Sequence, residues 1–206
     1  MLWAARQLLT PTKYLRVKHG EGILRSKAAY DYVLPIALAA LTCGAFLWLE
    51  IPLSFFDYTQ FVTRIIDLLE LMIVFYVAAL AAVATFERKG IDKPLKGTDA
   101  TLRVRHHDSG KWVTKKLTYR QFISYLFGYL SFLSLCLYIV TVILAVGWPA
   151  LKLRIKDDPL AWIVTDVADP AFFFLVFFAL WQLTLTSLLG IYFLTERIQT
   201  LNDSDN

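Results

Sequence analysis

The segment IIDLLELMIVFYVAALAAVATF, residues 65–86, is apolar over almost its whole length. At 1.5 Å per helical residue, such a stretch can cross a hydrocarbon core that is ~30 Å thick. Similar stretches occupy residues 32–49, 122–148 and 171–194, and the whole chain is 57% hydrophobic. This composition excludes an ordinary soluble domain. The sequence therefore predicts an all-α membrane protein with four transmembrane helices.

Lysine and arginine are distributed unevenly between the connections. Sixteen of them lie in residues 1–31 and 87–121, against three in residues 150–170 and none in residues 50–60. The positive-inside rule then predicts that both termini and the 87–121 connection are cytoplasmic, in a multi-pass protein of the bacterial inner membrane. The expected order outside the spans is a basic segment at 1–31, an outer loop at 50–64, a basic loop at 87–121, a second outer loop at 149–170 and a tail at 195–206.

The basic loop is predicted to fold into a small β-hairpin. Residues 101–106 alternate polar and apolar side chains, the sequence DSG at residues 108–110 is a turn signal, and residues 112–117 form a second extended run. A lone hairpin is marginal in water, so it should rest on the membrane, on a neighbouring subunit or on a partner. Thr118 and Gln121 are spaced as a capping box that opens the third span.

The charge of this loop indicates what it could bind. Its basic residues outnumber its acidic residues by ten to four. Positive-inside topology and contact with membrane lipid headgroups are the simpler explanation of such an excess, and a docking surface for an acidic soluble cytoplasmic protein is the functional alternative. Direct nucleic-acid binding is less favoured, because Trp112 alone offers a stacking platform. The candidate partner-binding residues are Arg103, Arg105, Lys111, Trp112, Lys115 and Lys116.

A few polar residues fall inside the spans. Arg64, Asp67 and Glu70 recur at every third position, so a helix places them along one side, with Arg64 able to pair with Asp67. These acidic residues either begin a solvated helix or line an outer vestibule or subunit junction. Gln182 lies near the middle of the fourth span and needs a polar partner there. That partner is either inside the fold, in a pore or at an oligomer contact.

Shorter helices are expected outside the spans. Residues 1–9 predict an interfacial helix that the Thr-Pro pair at residues 10–11 would end, and the basic stretch up to Lys27 should lie on the inner leaflet. In the second outer loop, an amphipathic helix should run from about residue 158 to residues 169–170. Within the first span, Ala40 and Gly44 are four residues apart, a spacing that permits close helix approach within the chain or between copies.

Catalytic and metal-binding motifs do not accompany these features. The sequence contains no HExxH, GxSxG, P-loop or CxxC pattern, and the adjacent His106 and His107 would point to opposite faces of a strand. We therefore expect a non-enzymatic protein without a cofactor or metal. The favoured role is an oligomeric membrane anchor or regulator of a soluble partner, and the alternative is an oligomeric channel or membrane-depolarising effector.

In its size, four spans, inside termini and basic middle connection, the chain resembles the membrane subunits of Kiwa phage-defence systems. The resemblance is one of architecture, and it assigns no roles to individual residues. It implies a homo-oligomer that holds a soluble effector at the inner membrane and responds to infection.

Overall fold

Four long apolar helices and one small sheet make up the fold. The computed structural model describes residues 7–17, 27–53, 59–85, 91–92, 100–105, 112–155 and 162–197. The helices are Leu34–Trp48 (α1), Thr59–Thr85 (α2), Tyr119–Ile155 (α3) and Asp169–Tyr192 (α4). Strands Thr101–Arg105 (β1) and Trp112–Lys116 (β2) form an antiparallel pair between α2 and α3. The predicted fold class is confirmed.

The helices have surfaces that suit lipid. With their flanking turns, all four are long and apolar enough to cross a membrane. No more than 33% of the most apolar window of any of them is buried inside the chain. Large side chains such as Leu71 and Val146 point outward along the helices. Apolar surface of this extent is unsuited to water, and the chain is a multi-pass membrane protein.

The helices pack in an order that differs from the order of the chain. α1 lies against α4, α4 against α3, and α3 against α2. Gly190 allows close contact between α4 and α3, because a Cβ atom at this position would come within 2.9 Å of the Leu126 side chain. At the far end of the bundle, the Phe46 and Phe173 rings bring α1 and α4 together, with centroids 5.1 Å apart.

One end of the bundle gathers the hairpin and both ends of the described chain. Phe122, just after the hairpin, contacts Tyr14 in the N-terminal 3-10 helix and Phe193 beyond α4, with ring centroids 6.3 Å and 4.9 Å apart. We call this the hairpin end. An even number of crossings requires such an arrangement, since the chain must return to the side from which it started.

The predicted hairpin is present. Thr101 pairs with Lys116 and Arg105 pairs with Trp112, so the strands align without a bulge. At the start of α3, the Gln121 backbone N–H donates to Thr118 Oγ1 at 3.3 Å. Gln121 Oε1 has no hydrogen-bond partner among the described residues, so the reciprocal half of the predicted capping box is not formed.

Two helix ends near the second outer loop differ from the prediction. α3 has 37 residues and is about 55 Å long, so it continues well beyond a ~30 Å hydrocarbon core. It passes through Pro149, and Lys152 reaches back over the Trp148 ring, one helical turn away. The expected stop at residues 169–170 is wrong. A π-helical segment, Ile163–Ala168, leads directly into α4, where a proline is tolerated in the first turn.

The N-terminal segment agrees with the prediction in one respect and differs in another. Residues 7–8 are helical and residue 9 is a turn, so a helix ends before the Thr-Pro pair as expected, but a 3-10 helix, Thr10–Arg16, follows directly. The physical reason is that proline fits the first turn of a helix, where its missing N–H would lack an intrahelical partner anyway. Residues 1–6, which carry most of the predicted interfacial helix, lie outside the described residues.

Candidate functional site

A buried polar cluster lies at the hairpin end, where α1 begins. Lys27 Nζ forms an ion pair with the Asp31 carboxylate one turn later, and the two side chains are only 5% and 2% exposed. Lys27 Nζ also donates to the backbone carbonyl of Tyr14 at 2.8 Å, and the Tyr14 hydroxyl donates to Asp31 Oδ1 at 3.4 Å. We call Tyr14, Lys27 and Asp31 the buried polar cluster. It joins the N-terminal 3-10 helix to the start of α1.

Electrostatics favour this arrangement over separate buried groups. Lys27 Nζ lies 3.6 Å from the centroid of the Tyr14 ring, within range of a cation–π interaction. Burial lowers the pKa of the Lys27 ammonium, while attraction to the Asp31 carboxylate opposes that shift. Burial also raises the pKa of the Tyr14 hydroxyl, and the adjacent Asp31 charge adds to the effect. The hydroxyl therefore keeps its proton and donates a hydrogen bond to Asp31.

Gln182 connects α4 to the same cluster. Its side-chain amide donates to the backbone carbonyl of Asp31 at 2.9 Å. Pro35, four residues after Asp31, has no N–H, so the usual helical donor to this carbonyl is missing. The preceding turn, Ala29–Val33, is π-helical, consistent with a proline ring that displaces the carbonyl four residues before it. Of the three alternatives left open for the partner of Gln182, the structure shows a hydrogen bond inside the fold.

The sequence-based placement of Lys27 is wrong. It was expected among the cations that lie on the inner leaflet, and the structure buries it against Asp31 and Tyr14. Burial is possible because the carboxylate and the backbone carbonyl satisfy the ammonium group. The i,i+4 spacing of Lys27 and Asp31, directly before an apolar span, was the signal that could have revealed the pair.

Arg120 secures the hairpin end of α2. Its guanidinium donates to the backbone carbonyls of Val83 and Ala84 at 3.3 and 3.2 Å, and Nε donates to Asp92 Oδ1 at 2.9 Å. The last carbonyls of a helix have no intrahelical donors, so a cation placed there caps them and interacts favourably with the helix dipole. Arg120 therefore serves as a structural cap, although the sequence counts it among the basic residues of the loop.

An exposed basic surface forms on the hairpin. Arg103, Trp112, Lys115 and Lys116 are all exposed. The register and the alternation of strand side chains place Arg103, Trp112 and Lys116 on one face and Lys115 on the other. Arg105 lies in β1 with its backbone opposite Trp112, and Lys111 lies outside the described residues. We call the exposed residues Arg103, Trp112, Lys115 and Lys116 the basic hairpin surface.

The acidic residues of α2 lie on its outward face. Arg64 pairs with Asp67 at 3.9 Å, and their side chains are 84% and 57% exposed. Glu70 is also exposed, and its Oε1 accepts a hydrogen bond of 2.9 Å from the Tyr138 hydroxyl of α3. Measured from the capped carbonyl of Ala84, Glu70 is about 21 Å along the helix, within a ~30 Å hydrocarbon core. With the hydrocarbon core starting at the capped end of α2, Glu70 would lie inside the membrane.

The described polar side chains do not have the composition of a metal centre. Across the described ranges, no three His, Cys, Asp or Glu side chains come close enough to hold a metal ion. Comparisons of the chain with protein families, with curated proteins and with solved structures found no match. The features of the described residues that bear on function are the basic hairpin surface, the buried polar cluster and the outward face of α2.

Proposed function

We propose that this chain is a non-enzymatic protein of the inner membrane that self-associates and anchors or regulates an acidic soluble protein in the cytoplasm. The observation that carries the proposal is the basic hairpin surface, where Arg103, Lys115 and Lys116 are exposed outside the four helices. Clustered cations of this kind attract acidic protein surfaces and orient them during association.

Self-association would strengthen the binding of a partner to this surface. A two-stranded hairpin is marginal by itself, and one copy offers few charges. Several copies around an oligomer would present the same residues side by side, so that weak contacts to one partner add together. Exposed small residues support close approach of a second copy: Ala40 and Gly44 both face outward on α1, and a Cβ atom at Gly44 would meet nothing within 4 Å.

The charge distribution supports a cytoplasmic location for the hairpin end. The basic loop and the basic N-terminal segment lie on the same side of the bundle, as the positive-inside rule requires of cytoplasmic segments. The architectural resemblance to Kiwa membrane subunits extends the proposal to antiviral defence. In that setting the outer loops would respond to infection, and the hairpin end would hold the effector.

Charge reversal at the hairpin tests the proposed role. The variant Arg103→Glu/Arg105→Glu/Lys115→Glu/Lys116→Glu should retain less than about a tenth of the acidic protein that co-purifies with the tagged wild-type chain from membranes. The reason is that attraction becomes repulsion across the interface. The measurement is quantitative mass spectrometry of detergent pulldowns at physiological salt.

The control for this experiment is Lys152→Glu/Arg154→Glu, which reverses cations at the opposite end of the bundle. It should retain the partner at the wild-type level. If the hairpin variant keeps its thermal stability in detergent and still recovers the same amount of partner, the anchoring role is wrong.

The alternative function, an oligomeric channel or depolarising effector, is favoured by one observation. Glu70 faces outward at membrane depth, where a neighbouring copy could enclose it in a polar path. Gln182, the other candidate pore residue, is buried and hydrogen-bonded to Asp31 within the same chain. The outward face of α2 is therefore the candidate pore lining.

Dye leakage from proteoliposomes discriminates between the two functions. If the chain forms a pore, purified wild-type protein should release an entrapped cationic dye, and Glu70→Ala should change the rate severalfold because the lining carboxylate is lost. Arg64→Ala, one or two turns away on the same helix, is the matched control. Liposomes that stay intact with the wild-type protein favour the anchor.

A further inference from the structure

A polar pocket lies between the N-terminal 3-10 helix and one face of the hairpin. It has a volume of about 290 Å³ and is lined by Arg16, Thr101, Arg103, Trp112 and Thr114. That volume is at the small end of ligand sites, which span roughly 300–1,000 Å³. It suits a headgroup or a mononucleotide, and a folded protein would not enter it.

The hairpin register explains why these side chains converge. Arg103 pairs directly with Thr114, and residues two apart on a strand share a face, so Thr101 and Trp112 join them. Arg16 comes from a different element. The 3-10 helix that carries it is fixed to α3 by Tyr14, whose ring stacks on Tyr129 with centroids 5.2 Å apart. The pocket therefore exists only when the N-terminal segment is docked.

The chemistry of the lining is that of an anion site. Two guanidinium groups and two hydroxyl groups face the same space, and no acidic side chain is among the described residues that line it. Within the described part of the chain, neither Arg16 nor Arg103 pairs with a carboxylate; Arg103 lies 5.7 Å from the Trp112 ring centroid instead. Planar guanidinium groups bind phosphate oxygens in a bidentate manner, and threonine hydroxyls add further donors.

We propose that this pocket binds a phosphate-bearing small molecule, with Arg16 and Arg103 holding the phosphate and Thr101 and Thr114 donating to its oxygens. Two sources supply this chemistry, the headgroup of an anionic phospholipid and a soluble mononucleotide. The Trp112 ring, which is 59% exposed, would contact the ester or stack on a base. This ligand is additional to the protein partner proposed above and needs no partner to be present.

The test uses purified full-length protein in nanodiscs, without any partner. In one arm, nanodiscs of zwitterionic phosphatidylcholine are titrated with a fluorescent adenosine monophosphate, with inorganic phosphate as competitor. In the other arm, native mass spectrometry counts the phosphatidylglycerol molecules that stay bound after release from mixed-lipid nanodiscs. Saturable nucleotide binding identifies the soluble source, and retained phosphatidylglycerol identifies the lipid source.

The variant Arg16→Gln/Arg103→Gln should weaken the binding observed in either arm by about tenfold or more, because two charge-assisted contacts are lost. Lys115→Gln, on the opposite face of the same hairpin, should change it less than twofold. The proposal would be overturned if neither arm shows saturable binding, or if Lys115→Gln weakens binding as much as the Arg16→Gln/Arg103→Gln double variant does. Unchanged recovery of the acidic protein by the hairpin charge-reversal variant, with phosphate binding by the wild-type protein intact, would reject the anchoring role alone.

Discussion

Replacing Asp31 with leucine should lower the free energy of unfolding by about 3–5 kcal/mol, because Lys27 would then be a buried charge without its carboxylate. The Tyr14 hydroxyl would lose its acceptor in the same substitution. The N-terminal 3-10 helix should therefore detach from α1 before the bundle itself unfolds. The measurement is chemical unfolding in mixed detergent micelles, with limited proteolysis of the N-terminal segment as a second readout.

Two further variants show whether the cost comes from leaving Lys27 as a buried, unpaired charge or simply from losing an ion pair. The double variant Lys27→Met/Asp31→Leu should recover roughly half or more of the lost stability, since it leaves no uncompensated ion. Arg64→Ala breaks the exposed Arg64–Asp67 pair and should cost about 0–1 kcal/mol. An Asp31→Leu protein as stable as the Arg64→Ala protein would show that the buried ion pair is energetically unimportant.

The four helices and the hairpin could be predicted from the sequence because each depends on a local pattern. Lipid requires a continuous apolar run, such as residues 65–86, and a strand pair requires alternation on both sides of a turn, as in β1 and β2. The helix ends were less predictable. Pro149 and the Thr-Pro pair at residues 10–11 resemble stop signals, but their consequences depend on where each turn of helix begins.

Apart from the i,i+4 pair of Lys27 and Asp31, the contacts of the buried polar cluster could not be predicted, because the residues that make them are far apart in the sequence. Tyr14 reaches Asp31 across seventeen positions, and Gln182 reaches it across 151. From composition alone, Lys27 would be placed among the cations that contact the lipid headgroups. The need of Gln182 for a polar partner was predictable, since hydrocarbon provides none. The identity of that partner was not predictable, because it is the Asp31 carbonyl, which lacks its usual helical donor at Pro35.

The candidate sites could be predicted only in part, because the basic hairpin surface depends on local sequence and the phosphate pocket depends on tertiary packing. Exposure of Arg103, Trp112, Lys115 and Lys116 follows from a short hairpin that has too few residues to bury them. The phosphate pocket needs a contribution from Arg16, which the sequence separates from β1 by a whole pair of spans. Tertiary packing of the 3-10 helix against α3 brings it there.

Gln182→Leu should lower the free energy of unfolding by about 1–3 kcal/mol, because the Asp31 carbonyl would lose its replacement donor inside a water-poor bundle. The same substitution should cost less in a Pro35→Ala background. An alanine at position 35 supplies the backbone N–H that an ordinary helix would offer to that carbonyl. Part of the cost should remain, because Gln182 also lies beside the Tyr129 hydroxyl.

A double-mutant cycle in detergent unfolding measures this coupling, which should be on the order of 1 kcal/mol between positions 35 and 182. The matched control is Thr42→Val, which removes the acceptor of the Trp181 Nε1–H bond of 3.1 Å between α1 and α4. Because Thr42 lies about two turns from Pro35, its effect should add to that of Pro35→Ala. If the effects of Gln182→Leu and Pro35→Ala also add, the missing N–H of Pro35 is not the reason that α4 carries an amide at this depth.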